Sequence, residues 1–121
     1  MTHILAVAAG GAVGSVLRYS ISRLPFTSSF PWSTLLVNLV GSFLLGLFLS
    51  VAGARVTISH QTRAFVSIGL LGGFTTFSTF SHQTITLLES NRLGVAGWNI
   101  LLNVTLSLIA AWIGWRLGRW I

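Results

Sequence analysis

Gly72-Gly73-Phe74-Thr75-Thr76-Phe77-Ser78-Thr79-Phe80-Ser81 lies inside an apolar stretch that runs from about Arg63 to Leu88. The length of that stretch suits a helix crossing a bilayer, which needs about 20 mostly apolar residues. The decamer does not suit a continuous helix. Two adjacent glycines, then a cluster of Thr and Ser, predict a break at mid-membrane. Non-helical backbone at that depth is tolerated only where protein or a water-filled cavity surrounds it, and a break frees carbonyls and amides to bind ions. Beyond the break, Phe77, Phe80, Ser81 and Thr84 fall on one helix face. That face is either a polar lining or a Phe-rich packing surface whose hydroxyls bond back to their own helix.

Three more stretches have spanning length: about Ile4 to Leu24, Thr34 to Ala54 and Val95 to Leu117. The breaks between them are polar, and Pro25 to Trp32 holds both prolines. Trp32, Trp98, Trp112, Trp115 and Trp120 lie towards span ends, as interfacial aromatics do. Ala6-Val7-Ala8 weakly resembles a leader cleavage site. No positive charge precedes it and the apolar stretch runs well past it, so this segment reads as a membrane span. The fold class expected is an all-α membrane protein, residues 1–121 forming a single domain of four transmembrane helices.

Composition agrees. Hydrophobic residues make up 53% and charged residues 7%, against roughly 25% charged in a soluble domain. There is no Cys, no Lys and no Asp, and the one acid is Glu89. That leaves no thiolate metal site, no carboxylate pair and no acidic cluster, so an enzyme is not expected. The net charge of +6 comes from Arg18, Arg23, Arg55, Arg63, Arg92, Arg116 and Arg119, all at or near span ends. Arginine sits there when its stem lies in lipid and its head reaches the interface, so nucleic acid is not an expected partner. Arg55, Arg63, Arg116 and Arg119 fall on one side, and Arg18, Arg23 and Arg92 on the other. Four against three hardly sets an orientation by the positive-inside rule. Either another signal fixes it, or two copies insert in opposite senses and pack antiparallel.

The spans carry small residues four apart: Gly10 and Gly14, Ser42 and Gly46, Gly69 and Gly73, Gly114 and Gly118. This spacing lets membrane helices approach closely and favours a tight bundle. Four spans enclose little alone, so oligomerisation is expected. Asn38 sits mid-span, where its amide must face a partner helix or water, as interhelical glue or as a functional group. Asn99, Asn103 and Ser107 share one face of the fourth span, a polar stripe about 12 Å long. His3, His60 and His82 have no metal-site spacing.

These residues match a known family. Gly10-Gly11-Ala12-Val13-Gly14 with Leu17-Arg18-Tyr19, Thr34 to Phe43 around Asn38, and above all Gly72 to Ser81 resemble the small bacterial fluoride channels called Fluc or CrcB. The resemblance covers the whole chain, in order. It implies an antiparallel, dual-topology homodimer in the bacterial plasma (inner) membrane, with two pores that let cytoplasmic F⁻ escape. It implies a structural Na⁺ at the dimer centre, held by the carbonyls of Gly72 and Thr75 from each copy. The pore would be lined by Asn38, Phe77, Phe80, Asn103 and Ser107, with Arg18, Ser78, Thr79 and Ser81 at the vestibule. Two positions depart from some members, Asn99 at an aligned tyrosine and Gln83 at an aligned glutamate. Either departure bears on vestibule or rate.

The chemistry is coherent. Fluoride holds its water tightly, so a pore must offer donors in exchange, and Asn and Ser supply them. Phe has an electropositive ring edge that an anion can pass. A small multidrug exporter has similar spans but needs a membrane-embedded carboxylate, and Glu89 lies at a span end. A non-transporting assembly subunit would explain the glycines but not the break or the polar stripe.

Overall fold

The computed structural model describes residues 1–54 and 57–121. Arg55, one of the arginines counted above, lies outside them. Each apolar stretch is helical. α1 spans Thr2–Ser22, α2 Trp32–Ala54 and α6 Leu93–Gly118. The third stretch is divided into α3 (His60–Arg63), a π-helical segment (Ala64–Leu70), α4 (Leu71–Phe74) and α5 (Phe77–Glu89). Counting His60–Glu89 as one, four helices among the described residues are long and apolar enough to cross a membrane. Each starts two or three residues earlier than hydropathy places it, at Thr2, Trp32, His60 and Leu93. Helix geometry continues into the interfacial zone, where polar groups and Trp are accommodated.

Glycines decide which helices pair. α1 packs on the third span, and α2 packs most extensively on α6. A Cβ added at Gly69 would lie 2.7 Å from Val7 O and 3.0 Å from Gly10 Cα. One at Gly73 would lie 2.8 Å from Gly11 O. In the other pair, a Cβ on Gly114 would lie 3.0 Å from Leu47 N, and one on Gly118 2.8 Å from Leu47 O. These are backbone-on-backbone contacts that only a missing side chain allows. Residue numbers rise together along both seams, so each pair is parallel.

The turn after α5 closes with Asn91 at φ 58°. Arg92 N–H reaches Leu87 O at 2.8 Å and Asn91 N–H reaches Leu88 O at 3.0 Å. This pair of bonds satisfies the last carbonyls of α5, and Asn tolerates the left-handed backbone it needs. The five tryptophans are all exposed on the outer surface. The Arg119 guanidinium lies 4.9 Å from the Trp115 ring and Arg116 5.8 Å from Trp112, a cation–π arrangement suited to a span end.

Candidate functional site

The helix of the third span stops at Phe74 and restarts at Phe77. Thr75 (φ −79°, ψ 159°) and Thr76 (φ −153°, ψ 118°) are extended. Sequence reasoning gave the bend to Gly72 and Gly73, but both are helical members of α4. The break falls instead on two β-branched residues, whose side chains favour extended backbone. Gly73 serves close approach to Gly11, while a Cβ at Gly72 would meet nothing nearer than Ser67 O at 3.7 Å. Thr76 caps α5: its Oγ1 accepts from Thr79 N–H at 3.2 Å. A hydroxyl N-cap of this kind satisfies a first-turn donor.

Asn38 of α2 holds the break open from the side. Its Oδ1 accepts from Thr76 N–H at 2.8 Å, and its Nδ2 donates to Thr76 O at 3.1 Å. The side-chain amide thus pairs with the Thr76 backbone as a neighbouring strand would. Asn38 Nδ2 also donates to Asn103 Oδ1 at 3.0 Å. Asn103 Nδ2 donates to Asn99 Oδ1 at 2.8 Å and to Asn99 O at 3.1 Å. Asn99 Nδ2 donates to Thr84 Oγ1 at 2.9 Å, and Thr84 Oγ1 donates to Phe80 O at 2.8 Å. Asn99 is fully buried, and Asn103 and Thr84 nearly so. Buried amides demand such partners.

Asn38, Thr76 and Asn103 of this network line a cavity of about 330 Å³ together with Phe77, Phe80 and Ser107. All five residues expected to line a pore therefore meet, from α2, α5 and α6. The Phe77 and Phe80 ring centroids are 5.3 Å apart with planes tilted at 57°. Phe80 is buried, whereas Phe77 is 75% exposed. Ser107 Oγ is buried and lacks a hydrogen-bond partner among the described residues. Both N–H groups of Asn38 and of Asn103 are already committed within the network.

A second cavity, of about 300 Å³, is lined by Arg18, Thr76, Thr79 and Gln83 among others. Thr76 lies in both cavities. Of the residues expected at a vestibule, Arg18 and Thr79 meet here. Ser78 is exposed, its Oγ 3.5 Å from Thr76 Oγ1, and Ser81 donates to Phe77 O at 2.9 Å. Neither lines these two cavities. The hydroxyls of Ser81 and Thr84 thus bond back to their own helix, while the Phe77 and Phe80 rings on the same face line the cavity. Gln83 Oε1 is buried without a partner among the described residues. Sequence reasoning missed Thr76 as a site residue, placed Thr84 only on a helix face and marked Gln83 only as a departure bearing on vestibule or rate. Thr76 carried a signal of its own, a hydroxyl three residues before Thr79 at a helix start.

The class defined here is a small multi-span helical membrane protein with a polar, aromatic-edged cavity at a helix break. The chain belongs to the CrcB-like family: the family described as "CrcB-like protein, Camphor Resistance (CrcB)" matches residues 5–115. A protein of Shewanella frigidimarina named "Fluoride-specific ion channel FluC" is 49% identical over 97% of this chain and 96% of its own. Proteins of the same name from Thermus thermophilus and Agrobacterium fabrum are 46% and 44% identical, each over 98% of this chain and over 96% and 98% of their own. Its four helices and bacterial relatives make it a multi-pass protein of the inner membrane.

Proposed function

We propose that this chain is a fluoride channel, working as an antiparallel homodimer with the helix break at mid-membrane and passing F⁻ passively out of the cytoplasm. The observation that carries the reading is the convergence of Asn38, Phe77, Phe80, Asn103 and Ser107 on one cavity beside the Thr75–Thr76 break. Relatives covering nearly the whole chain are named for that activity. The process is transport, with no bond made or broken. Arg18 raises the local anion concentration at the vestibule. Ring edges of Phe77 and Phe80 supply the electropositive path, and the unpartnered Ser107 hydroxyl supplies a donor. Phe77, largely exposed on a single copy, faces the second copy, and each dimer carries two such pores.

A Na⁺ at the dimer centre fits the donor set. In a continuous helix Thr76 N–H would bond to Gly72 O and Thr79 N–H to Thr75 O. Here those donors go to Asn38 Oδ1 and Thr76 Oγ1. Gly72 and Thr75 are thus two residues whose carbonyls have lost their usual helical partners, and carbonyl oxygens suit a hard cation. Gly72 is exposed, where the matching residue of a second copy can approach. The ion would join the copies at the break. A multidrug exporter does not fit, since Glu89 is the last residue of α5 and exposed. The test is fluoride efflux from liposomes that contain only this protein. Efflux of F⁻ with little Cl⁻ is expected, and no anion efflux from folded protein sinks the reading.

A further inference from the structure

Resting on the channel reading, we infer that Asn99 and Thr84, which lie outside the cavity, are positioning residues that hold the Asn103 and Asn38 amides firmly in the orientation two main-chain groups set. Each amide in the chain Thr76–Asn38–Asn103–Asn99–Thr84 could in principle be turned by half a revolution, exchanging its oxygen for its NH₂. Two main-chain groups forbid it. Thr76 N–H is a donor, so Asn38 must present Oδ1 to it, at 2.8 Å. That leaves Asn38 Nδ2 to donate to Thr76 O and to Asn103 Oδ1. At the other end the Asn99 carbonyl is an acceptor, so Asn103 must present Nδ2 to it, at 3.1 Å. The same Nδ2 donates to Asn99 Oδ1 at 2.8 Å, which turns Asn99 Nδ2 to Thr84 Oγ1. Thr84 Oγ1 is free to accept because its own proton is committed to Phe80 O. From Thr76 N–H to Thr84 the linking hydrogen bonds therefore run in one direction, with Asn38 Nδ2 donating back to Thr76 O, and main-chain groups set the sense of the Asn38 and Asn103 amides.

The consequence for transport is specific. The N–H groups of Asn38 and Asn103 are spent inside the chain, so an anion in the cavity can take one only by breaking a bond in the sequence. A chain of aligned amides shares that cost along its length, because neighbouring bonds polarise one another. Removing Asn99 Oδ1 or the Thr84 acceptor breaks the line. The Asn103 amide then loses the side-chain support that donation to Asn99 Oδ1 gave it beyond the Asn99 carbonyl, its Oδ1 is held less firmly against Asn38 Nδ2, and the Asn38 pairing with Thr76 is weakened. The break and the cavity wall change together, although neither altered residue lines the cavity.

The test compares Asn99→Leu, Thr84→Val and Thr84→Ser. Leu has the size of Asn without its polar atoms; Val has the shape of Thr without its acceptor; Ser retains the hydroxyl. Two readouts are taken on each: fluoride efflux per mole of folded protein in liposomes, and the side-chain NH₂ signals of Asn38 in NMR spectra of micelle-embedded protein. Asn99→Leu and Thr84→Val are expected to lose at least tenfold in efflux and to shift the Asn38 signals. Thr84→Ser is expected to keep both within twofold of wild type. Backbone signals of Gly10 and Gly69, in the other helix pair, stay in place, which a general packing defect would not allow. Wild-type efflux from folded Thr84→Val overturns the inference, as do unmoved Asn38 signals in it. If Asn99→Leu does not fold, Thr84→Val decides alone. If wild-type protein carries no fluoride, the channel reading falls, and the NMR comparison still decides the positioning roles.

Discussion

Asn38 and Thr76 are 38 residues apart, yet the amide of one is bonded to both main-chain groups of the other, at 2.8 Å and 3.1 Å. A peptide with no helical partner is costly in a bilayer, where no water is at hand. Asn38 removes that cost at one residue, and the Thr76 hydroxyl removes it for the Thr79 N–H. The break is therefore stable because a second helix supplies what the helix ladder gives up. The same substitution of partners releases the Gly72 and Thr75 carbonyls, so one side chain links the cavity wall to the proposed ion site.

Asn38→Asp tests that link. The carboxylate still accepts from Thr76 N–H but points its other oxygen at Thr76 O and Asn103 Oδ1, where two donated bonds were. Each buried polar group left unpaired costs about 1–3 kcal/mol. Fluoride efflux per folded protein is expected to fall about tenfold or more, well beyond any fall in dimer yield on gel filtration. Equal loss of both makes Asn38 a packing residue.

Phe77 and Phe80 separate differently. Phe80→Ile alters a buried contact and is expected to cost about 1 kcal/mol of stability. Phe77→Ile, at an exposed ring, leaves the isolated chain nearly as stable. Both remove the ring quadrupole, so flux is expected to collapse in each while folded protein is recovered. Met, polarizable and adaptable, is expected to be tolerated better than Ile at one or both positions. Wild-type flux from a monodisperse double Ile variant ends the reading of these rings as pore lining.

The adjacent glycines make a pair of opposites. Gly73→Val drives a side chain into the Gly11 backbone and is expected to abolish assembly. Gly72→Ala meets only ordinary contact within one copy, so the chain folds. Any loss of dimer in Gly72→Ala then reports on the proposed dimer centre, and exchange of Na⁺ for a bulky organic cation is expected to reproduce it. Normal dimers under both treatments remove the ion from the proposal.

Gly114→Leu addresses the second seam. Its side chain has only the Phe43 and Leu47 backbone to enter, and overpacking of this kind costs about 1–3 kcal/mol or more. A marked drop in thermal stability in detergent is expected, with α1 and the third span still paired by cross-linking between engineered cysteines. An unchanged melting temperature contradicts the close approach of α2 and α6.

Orientation is tested on cells. Reporter fusions after Ile121 are expected to show both senses of insertion in one population. Two or three lysines added to the loop at 24–31 are expected to bias insertion and to reduce fluoride resistance unless an oppositely biased copy is co-expressed. One orientation for every molecule removes the antiparallel dimer.

Hydropathy alone determined four spans, because about 20 apolar residues have no other stable use than crossing a bilayer. It also marked Asn38, Asn103 and Ser107 as groups that need partners, since a bare amide in lipid is too costly to be idle. Gly-Gly before a run of hydroxyls announced an interruption near residue 75, but tertiary structure put the extended backbone on Thr75 and Thr76 and kept both glycines helical. Gly73's missing side chain was already committed to Gly11, and only Thr76 had Asn38 opposite it. Which glycine meets which helix, and that Thr84 and Asn99 complete the amide chain, depend on side chains far apart in sequence. Spacing along one helix records a face, but the partner across that face is chosen only when the bundle closes.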